Sequence, residues 1–163
     1  QEYLSLLQEN ECEINALINA STVNETYFFR EENQFNLLNK IISNKQKINI
    51  WSAACSSGEE AYSIKLLCDS LNKETCLFAS DINTDKLNFL KEGKYIKTQA
   101  LRDIDGKSFH NLLLPYVKDD FIIFPDKIRN SISCRQINLT QSESFKSLGL
   151  DNSLVFSLFS SIV

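Results

Sequence analysis

Residues 48–71, INIWSAACSSGEEAYSIKLLCDSL, combine two patterns that together decide the fold. Residues 48–54 form a short apolar run that is rich in residues favouring β-strands. The small residues at 55–58 interrupt this run, and residues 59–71 then place apolar side chains at helical spacing. The stretch therefore predicts a strand, a tight turn and a helix.

Residues 75–93, TCLFASDINTDKLNFLKEG, predict a second unit of the same kind. We expect a strand over 75–80, a turn over 81–84 and a helix over 85–92. Thr84 is the predicted N-cap of this helix, and Gly93 stands where a left-handed residue ends it. Two strand–helix units in series predict a parallel sheet with right-handed crossovers.

The rest of the chain predicts elements that surround these two units. Helical spacing of apolar residues occurs within 2–19 and 35–42, and residues 94–116 are mixed and suggest loop and short helix. Three later segments, 121–124, 131–139 and 153–163, have the composition of extended chain.

The composition is that of one ordinary globular domain. The chain has 163 residues, 43% of them hydrophobic, with 17 Lys and Arg against 21 Asp and Glu. The resulting net charge of −4 argues against a protein that holds nucleic acid by neutralising many phosphates. Five cysteines without a C-x-x-C pair predict neither a disulfide framework nor a zinc site. The apolar tail at 154–163 is about half the length that a bilayer span requires.

Candidate ligand-binding residues follow the two predicted strands. In a parallel sheet, ligands bind at the carboxyl ends of the strands, where helix N-termini converge. The first turn contains a single glycine, Gly58, so the glycine-rich fingerprint for a dinucleotide pyrophosphate is absent. Asp81 lies 23 residues beyond Gly58, near the offset of about 20 at which an acid meets ribose hydroxyls in such folds. A nucleoside ligand without a pyrophosphate fits both observations.

Each of these residues also has a structural interpretation. Asp81 alone could begin an Asx turn, and Glu59 and Glu60 alone could complement a helix N-terminus. Arg30, beside two phenylalanines, is more often a surface or stacking arginine than a functional one. The individual residues leave these alternatives open.

Four strings, taken together, resemble the CheR-type chemotaxis protein-glutamate O-methyltransferases. They are TVNETYFFRE at 22–31, IWSAACSSGEEAYSI at 50–64, FASDIN at 78–83 and INL at 137–139. The resemblance covers residues 15–140 and implies an α/β fold, a doubly wound Rossmann-like methyltransferase domain preceded by a short helical segment. It also implies S-adenosylmethionine as cofactor, S-adenosylhomocysteine as product and glutamates on the cytoplasmic helices of chemoreceptors as methyl acceptors. A cytoplasmic protein is expected, without nucleic-acid binding or membrane insertion.

The resemblance carries site roles onto matching positions of this sequence. Arg30 is expected to orient the acceptor glutamate or the cofactor carboxylate, which makes it the catalytic candidate, and no metal is expected. Glu60 is expected at the methionine end, and Asp81 at the ribose hydroxyls. The full cofactor-binding set that the resemblance implies is Asn24, Thr26, Arg30, Glu60, Asp81, Asn138 and Leu139.

The sequence departs from the family pattern at both ends. Residues 1–20 are interpreted as a remnant of an N-terminal helical domain, and 21–163 as a methyltransferase domain with its C-terminal strands missing. An R-N-x-x-I-Y-F motif is expected after the strand that begins at 154, but residues 158–163 read LFSSIV. An incomplete sheet is therefore expected. The alternatives are a non-catalytic module that binds cofactor or partners, and a related methyltransferase with another acceptor.

Overall fold

The structure, a computed structural model, describes residues 10–22, 25–102 and 108–140, and the backbone of 154–156. Two short 3-10 turns, His110–Leu112 and Leu114–Tyr116, lie between helix Lys97–Ala100 and strand Val117–Lys118. The helices and strands, in chain order, are α1 Glu11–Ser21, α2 Glu32–Ser43, β1 Lys47–Ala53, α3 Glu59–Ser70, β2 Glu74–Asp81, α4 Thr84–Glu92, β3 Lys94–Ile96, α5 Lys97–Ala100, β4 Val117–Lys118, β5 Phe121–Ile123, α6 Asp126–Arg129, β6 Ile132–Gln136 and β7 Leu154–Phe156.

Within the described residues, the main sheet has four parallel strands in the order β6-β2-β1-β7. Counted along the chain within this sheet, the order is third, second, first, fourth, which is the beginning of a doubly wound sheet. The predicted Rossmann-like fold class is confirmed. The strand order reverses beside β1, and in such sheets the ligand crevice lies outside the carboxyl ends of the strands at this point.

Helix α3 is buried along most of its length, which anchors the turn that precedes it. Tyr62, Ile64 and Leu67 are each at most 2% exposed. The Tyr62 ring stacks on Phe124 with centroids 4.1 Å apart, and its hydroxyl donates a hydrogen bond to Leu90 O at 2.8 Å. The helix therefore joins the main sheet to α4 and to the second sheet.

The second sheet was not predicted from the sequence. It contains three short antiparallel strands in the order β3-β5-β4, and β3 belongs to the stretch 94–116 that had suggested loop and short helix. Strand β3 has three residues, and its partner β5 begins at Phe121. Because a strand of this length has almost no periodicity, only its distant partner reveals it.

The cap of helix α4 also differs from the prediction. The side chain of Asn83, and not that of Thr84, accepts a hydrogen bond from Lys86 N at 3.1 Å, and Thr84 is the first helical residue. Gly93 ends the helix with φ of 60°, as predicted. A Cβ at Gly93 would lie 2.7 Å from Arg129 Cδ, so close packing as well as backbone conformation requires glycine there.

Candidate functional site

The turn between β1 and α3 brings a tightly folded backbone to the carboxyl edge of the sheet. Ala54, Ser56 and Gly58 all have positive φ, of 55°, 49° and 94°. Cys55 N donates to Ser80 O at 2.8 Å, which fixes the turn against β2. A Cβ at Gly58 would lie 2.6 Å from Leu90 Cγ. A residue without a side chain is therefore required at position 58 by the contact with α4.

Asp81 ends β2 directly beside this turn. It is 7% exposed, and its Oδ2 accepts a hydrogen bond from Ser56 N at 2.7 Å. Its Oδ1 accepts one from Asn83 N at 2.8 Å, which is the Asx-turn contact considered above. An ionised carboxylate offers about four lone-pair positions, so a pair of ligand hydroxyls can be accepted beside these two bonds. The structural and the functional interpretations of Asp81 are therefore compatible.

Glu60, in the first turn of α3, is 5% exposed, and its Oε1 accepts a hydrogen bond from Ser52 Oγ at 2.5 Å. The thiol of Cys55 lies near enough to this carboxylate and to that of Asp81 to interact with the charge of each. Burial raises the pKa of Cys55 well above its ordinary value, and the negative charges of Asp81 and Glu60 raise it further. The two predicted cofactor-binding carboxylates therefore both lie beside the turn between β1 and α3 and produce a negative potential there.

Glu59 connects this turn to the segment before the sheet. It is 7% exposed, its Oε2 accepts a hydrogen bond from Ser57 Oγ at 2.8 Å, and the side chain of Thr26 also hydrogen-bonds to it. Burial raises the pKa of Glu59, and these two hydrogen bonds oppose the rise. Phe29 N donates to Ser63 Oγ at 3.0 Å on the next turn of α3. Thr26 therefore lies at the first helical turn, where Glu60 is also found.

Arg30 lies at the end of this segment, in a cluster that includes a second arginine. Its side chain is 13% exposed, donates a hydrogen bond to Glu25 O and places Cζ 5.7 Å from the centre of the Tyr27 ring. Arg102 Nη2 donates to Glu25 Oε1 at 2.5 Å, and its Cζ lies 5.1 Å from the same ring. The guanidinium of Arg30 is thus oriented by its neighbours rather than extended into solvent.

Asn138 and Leu139 follow β6 at the same edge of the sheet. Gln136 pairs with Asp81, and Ile137 N donates to Asp81 O at 3.0 Å. Both candidate adenine-binding residues are half-buried, and Asn138 Oδ1 accepts a hydrogen bond from Thr140 N at 3.0 Å. Asn24 lies outside the described residues.

The carboxylates of Glu59, Glu60 and Asp81 set the chemical character of this site. A ligand with positive charge and vicinal hydroxyls suits such a set, because carboxylates bind ammonium groups and accept hydroxyl protons. S-adenosylmethionine has a sulfonium, an ammonium group and a ribose, so the residues fit this cofactor. Across the described ranges, no three His, Cys, Asp or Glu side chains form a group that could hold a metal ion.

Three residues that surround the candidate site were missed by the sequence analysis. Ser52 binds Glu60, Asn83 binds the Asp81 carboxylate through its backbone, and Arg102 shares Glu25 with Arg30. The alternation of small and apolar residues in β1 gives only a weak signal for Ser52. Arg102 lies 77 residues from Glu25 in sequence, so no local pattern connects the two.

Sequence comparisons with known proteins identify the family of the chain. Residues 24–151, more than half of the chain, match the family described as the CheR methyltransferase, SAM binding domain. Chemotaxis protein methyltransferase 2 of Vibrio cholerae is 34% identical over 149 residues, which cover 84% of this chain and 51% of that protein. Chemotaxis protein methyltransferase 2 of Pseudomonas aeruginosa is 36% identical over 154 residues, covering 87% and 54%.

The chain spans about half the length of these two curated relatives. It spans 71% of a third, the chemotaxis protein methyltransferase of Borreliella burgdorferi, at 27% identity. In the described part of the chain, no helix combines the length and apolar character needed to cross a bilayer. On the family match and the identities above, the chain belongs to the CheR methyltransferase family, within its S-adenosylmethionine-binding domain.

Proposed function

We propose that this protein transfers the methyl group of S-adenosylmethionine to glutamate side chains on the cytoplasmic helices of chemoreceptors. The observation that carries the proposal is the arrangement of Asp81 and Glu60 around one turn at the carboxyl edge of the doubly wound sheet. Both residues lie inside the range that matches the cofactor-binding family. The names of the relatives support a chemotaxis substrate, and a cytoplasmic location follows from the proposed acceptor.

The proposed cofactor contacts follow the positions of the side chains. Asp81 accepts the two ribose hydroxyls, and Glu60 balances the charge of the methionine ammonium group. Thr26, held at the first turn of α3, binds the same end of the cofactor. Asn138 and Leu139 border the adenine, a role that is supported by the backbone bond between Ile137, the residue before them, and Asp81. Asn24 completes the proposed set.

The proposed reaction is an in-line displacement. The bound cofactor supplies a methyl group made electrophilic by the sulfonium. A carboxylate oxygen of the acceptor attacks this carbon, and the O–C bond forms as the C–S bond breaks, which yields a glutamate methyl ester and S-adenosylhomocysteine. The acceptor is ionised near neutral pH, so the step requires no general base. The protein must therefore align the two partners and exclude water.

Arg30 is the proposed catalytic residue for this alignment. A guanidinium presents a planar fork of donors that matches a carboxylate, either of the acceptor or of the cofactor. The Glu25 carbonyl and the Tyr27 ring restrain the side chain, so less conformational entropy is lost when the carboxylate binds.

The first test is calorimetric titration of the protein with S-adenosylhomocysteine. We expect Asp81→Asn to weaken binding at least tenfold, because the amide offers fewer acceptor positions to the ribose hydroxyls. Asp69→Asn is the matched control, since Asp69 is exposed at the far end of α3 and pairs with Lys65. Equal affinity of wild type and Asp81→Asn would contradict the proposed ribose contact.

The second test measures methyl transfer to the cytoplasmic part of a chemoreceptor, counted as base-labile methyl ester. We expect Arg30→Lys to reduce the rate by more than tenfold, because an ammonium cannot reproduce the bidentate contact. Arg102→Lys is the control, because Arg102 shares Glu25 and Tyr27 but is 49% exposed. Cofactor binding without transfer to any receptor would favour a non-catalytic binding module. Transfer to a different protein would favour a methyltransferase with another acceptor.

A further inference from the structure

The end of helix α1 makes polar contacts with the turn that follows β2. Asn83 Nδ2 donates to Thr22 Oγ1 at 2.8 Å and to Asn19 O at 3.2 Å. The Thr22 hydroxyl in turn donates to Asn19 O at 3.1 Å. Asn19 Nδ2 donates to Asp85 Oδ2 at 2.9 Å, on the first turn of α4. Helix α1 is thus joined to the turn by side chains from both elements.

Asn83 connects these contacts to the proposed ribose-binding carboxylate. It is 2% exposed, and its backbone N donates to Asp81 Oδ1 at 2.8 Å. Its side-chain Oδ1 caps α4 by accepting from Lys86 N. A buried amide with all of these bonds satisfied has one orientation, because leaving any of its polar atoms unpaired is costly. Asn83 therefore contacts helix α1 through its side chain and the Asp81 carboxylate through its backbone, and a shift of this residue would act on both.

A second contact from α1 reaches the neighbouring strand. Gln136 Nε2 donates to Asn15 Oδ1 at 3.2 Å and to Ile82 O at 3.0 Å. Gln136 is the last residue of β6 and pairs with Asp81 in the sheet. Helix α1 therefore contacts the ends of both strands that carry the proposed ribose and adenine contacts.

Helix α1 contributes little to the apolar core. None of its residues is buried, and Ile14 and Leu17 are 40% and 43% exposed. Polar contacts, rather than burial of apolar surface, therefore hold it in place. A helix held in this way adds little to the stability of the domain, so loss of its contacts should affect ligand binding more than the free energy of unfolding.

We propose that Thr22 and Asn83 are positioning residues that transmit the docking of helix α1 to Asp81, so that a docked α1 strengthens ribose binding without touching the cofactor. The inference rests on the proposed function, because Asp81 must bind the ribose. Coupling of this kind is reciprocal, so cofactor binding must also favour the docked position of α1.

The test uses calorimetric titration with S-adenosylhomocysteine and with its 2′,3′-dideoxy analogue, which lacks the hydroxyls that Asp81 would bind. We expect Thr22→Val, which removes one acceptor of the Asn83 amide, to weaken S-adenosylhomocysteine binding about 3- to 10-fold. Affinity for the dideoxy analogue should change less than twofold. Thr22→Ser keeps the hydroxyl and should restore wild-type affinity.

Thr75→Val is the matched control, because it makes the same chemical change as Thr22→Val at a position away from Asp81. Thr75 lies at the opposite end of β2, and its hydroxyl donates to Lys73 O at 3.4 Å. We expect this variant to bind S-adenosylhomocysteine within twofold of wild type. A second measurement is hydrogen exchange of residues 11–21. S-adenosylhomocysteine should slow exchange there in the wild type, and this protection should be reduced in Thr22→Val.

The outcomes separate the inference from the function on which it rests. The positioning role would be overturned if Thr22→Val bound S-adenosylhomocysteine with wild-type affinity, or if it bound both ligands equally more weakly. The proposed function would still stand in either case, provided that Asp81→Asn lost binding. Unchanged exchange in α1 on ligand binding would also overturn the positioning role. Failure of the wild-type protein to bind S-adenosylhomocysteine would overturn the proposed function itself.

Discussion

The two strand–helix turns at the carboxyl edge of the main sheet are held in their conformations by different interactions. The turn after β1 is shaped by its backbone, with positive φ at Ala54, Ser56 and Gly58 and close packing of Gly58 against Leu90. The turn after β2 is shaped by side chains, because Asp81 and Asn83 bind backbone amides and helix α1. Left-handed backbone and small side chains define the first turn, and side-chain hydrogen bonds define the second.

This difference predicts how each turn tolerates substitution. A backbone-shaped turn should fail when a side chain is added, whereas a turn shaped by side chains should fail when one is removed. Both kinds of change act on the same candidate site, so measured free energies of unfolding can be compared directly between them.

The largest effect is expected from Gly58→Ala. The new Cβ would lie 2.6 Å from Leu90 Cγ on a backbone with φ of 94°. Left-handed backbone costs an alanine about 1–2 kcal/mol, and overpacking adds about 1–3 kcal/mol. We expect the free energy of unfolding, measured in urea, to fall by roughly 2–5 kcal/mol. In a double-mutant cycle, Leu90→Ala should relieve part of this loss, and strict additivity would contradict the proposed clash.

The next largest effect is expected from Asn83→Ala. This change removes the N-cap of α4 and the buried contacts to Asn19 and Thr22. Loss of an N-cap costs about 1 kcal/mol, so we expect a destabilisation of roughly 1–2 kcal/mol by urea unfolding. Thr84→Ala is the control, because Thr84 is the first helical residue and its side chain does not cap the helix. Equal losses in the two variants would contradict the assignment of the cap.

Glu59→Gln should change how stability depends on pH. Burial raises the pKa of Glu59 above its ordinary value of 4.5, so the folded state holds this proton more tightly than the unfolded state. The wild type therefore loses stability as pH rises from about the ordinary value to the raised folded pKa. Glutamine keeps the acceptor for Ser57 and does not titrate. We expect the variant to gain stability relative to wild type across this window, measured by thermal unfolding at pH 4 to 7; a constant difference would contradict the pKa shift.

The smallest effect is expected from Ala54→Gly, which should stabilise the protein. Ala54 is exposed and has φ of 55°, so glycine relieves the left-handed backbone and loses no packing. Relief of about 1–2 kcal/mol is offset by about 0.5–1 kcal/mol of chain entropy, which leaves a gain of roughly 0.5 kcal/mol. Ala53→Gly, in the strand, should instead destabilise. A loss of stability in both variants would show that the backbone of the turn is not strained.

The two strand–turn–helix units that carry Glu60 and Asp81 were predictable because each lies in a short local pattern, and the strand order confirms the parallel sheet that those units predicted. The cofactor role of Glu60 came from the family resemblance and stays a prediction. The cap of α4 was assigned one residue too late because both Asn83 and Thr84 are good capping residues, and sequence cannot choose between them. Strand β3 was missed because three residues have no recognisable period.

The sequence by itself determined the two strand–helix units, the family and the chemical types of the proposed cofactor contacts. Local periodicity predicts the two units, because it acts over a few neighbouring residues. The family and the proposed contacts come from the resemblance of four short strings within residues 22–139. Only the tertiary structure decided that Arg102 contacts Glu25, as Arg30 does, and that Thr22 contacts Asn83. Arg102 lies 77 positions from Glu25, and Asn83 lies 61 positions from Thr22. Their contacts depend on how the packed sheet and helices bring distant segments together, and no short sequence window records that distance.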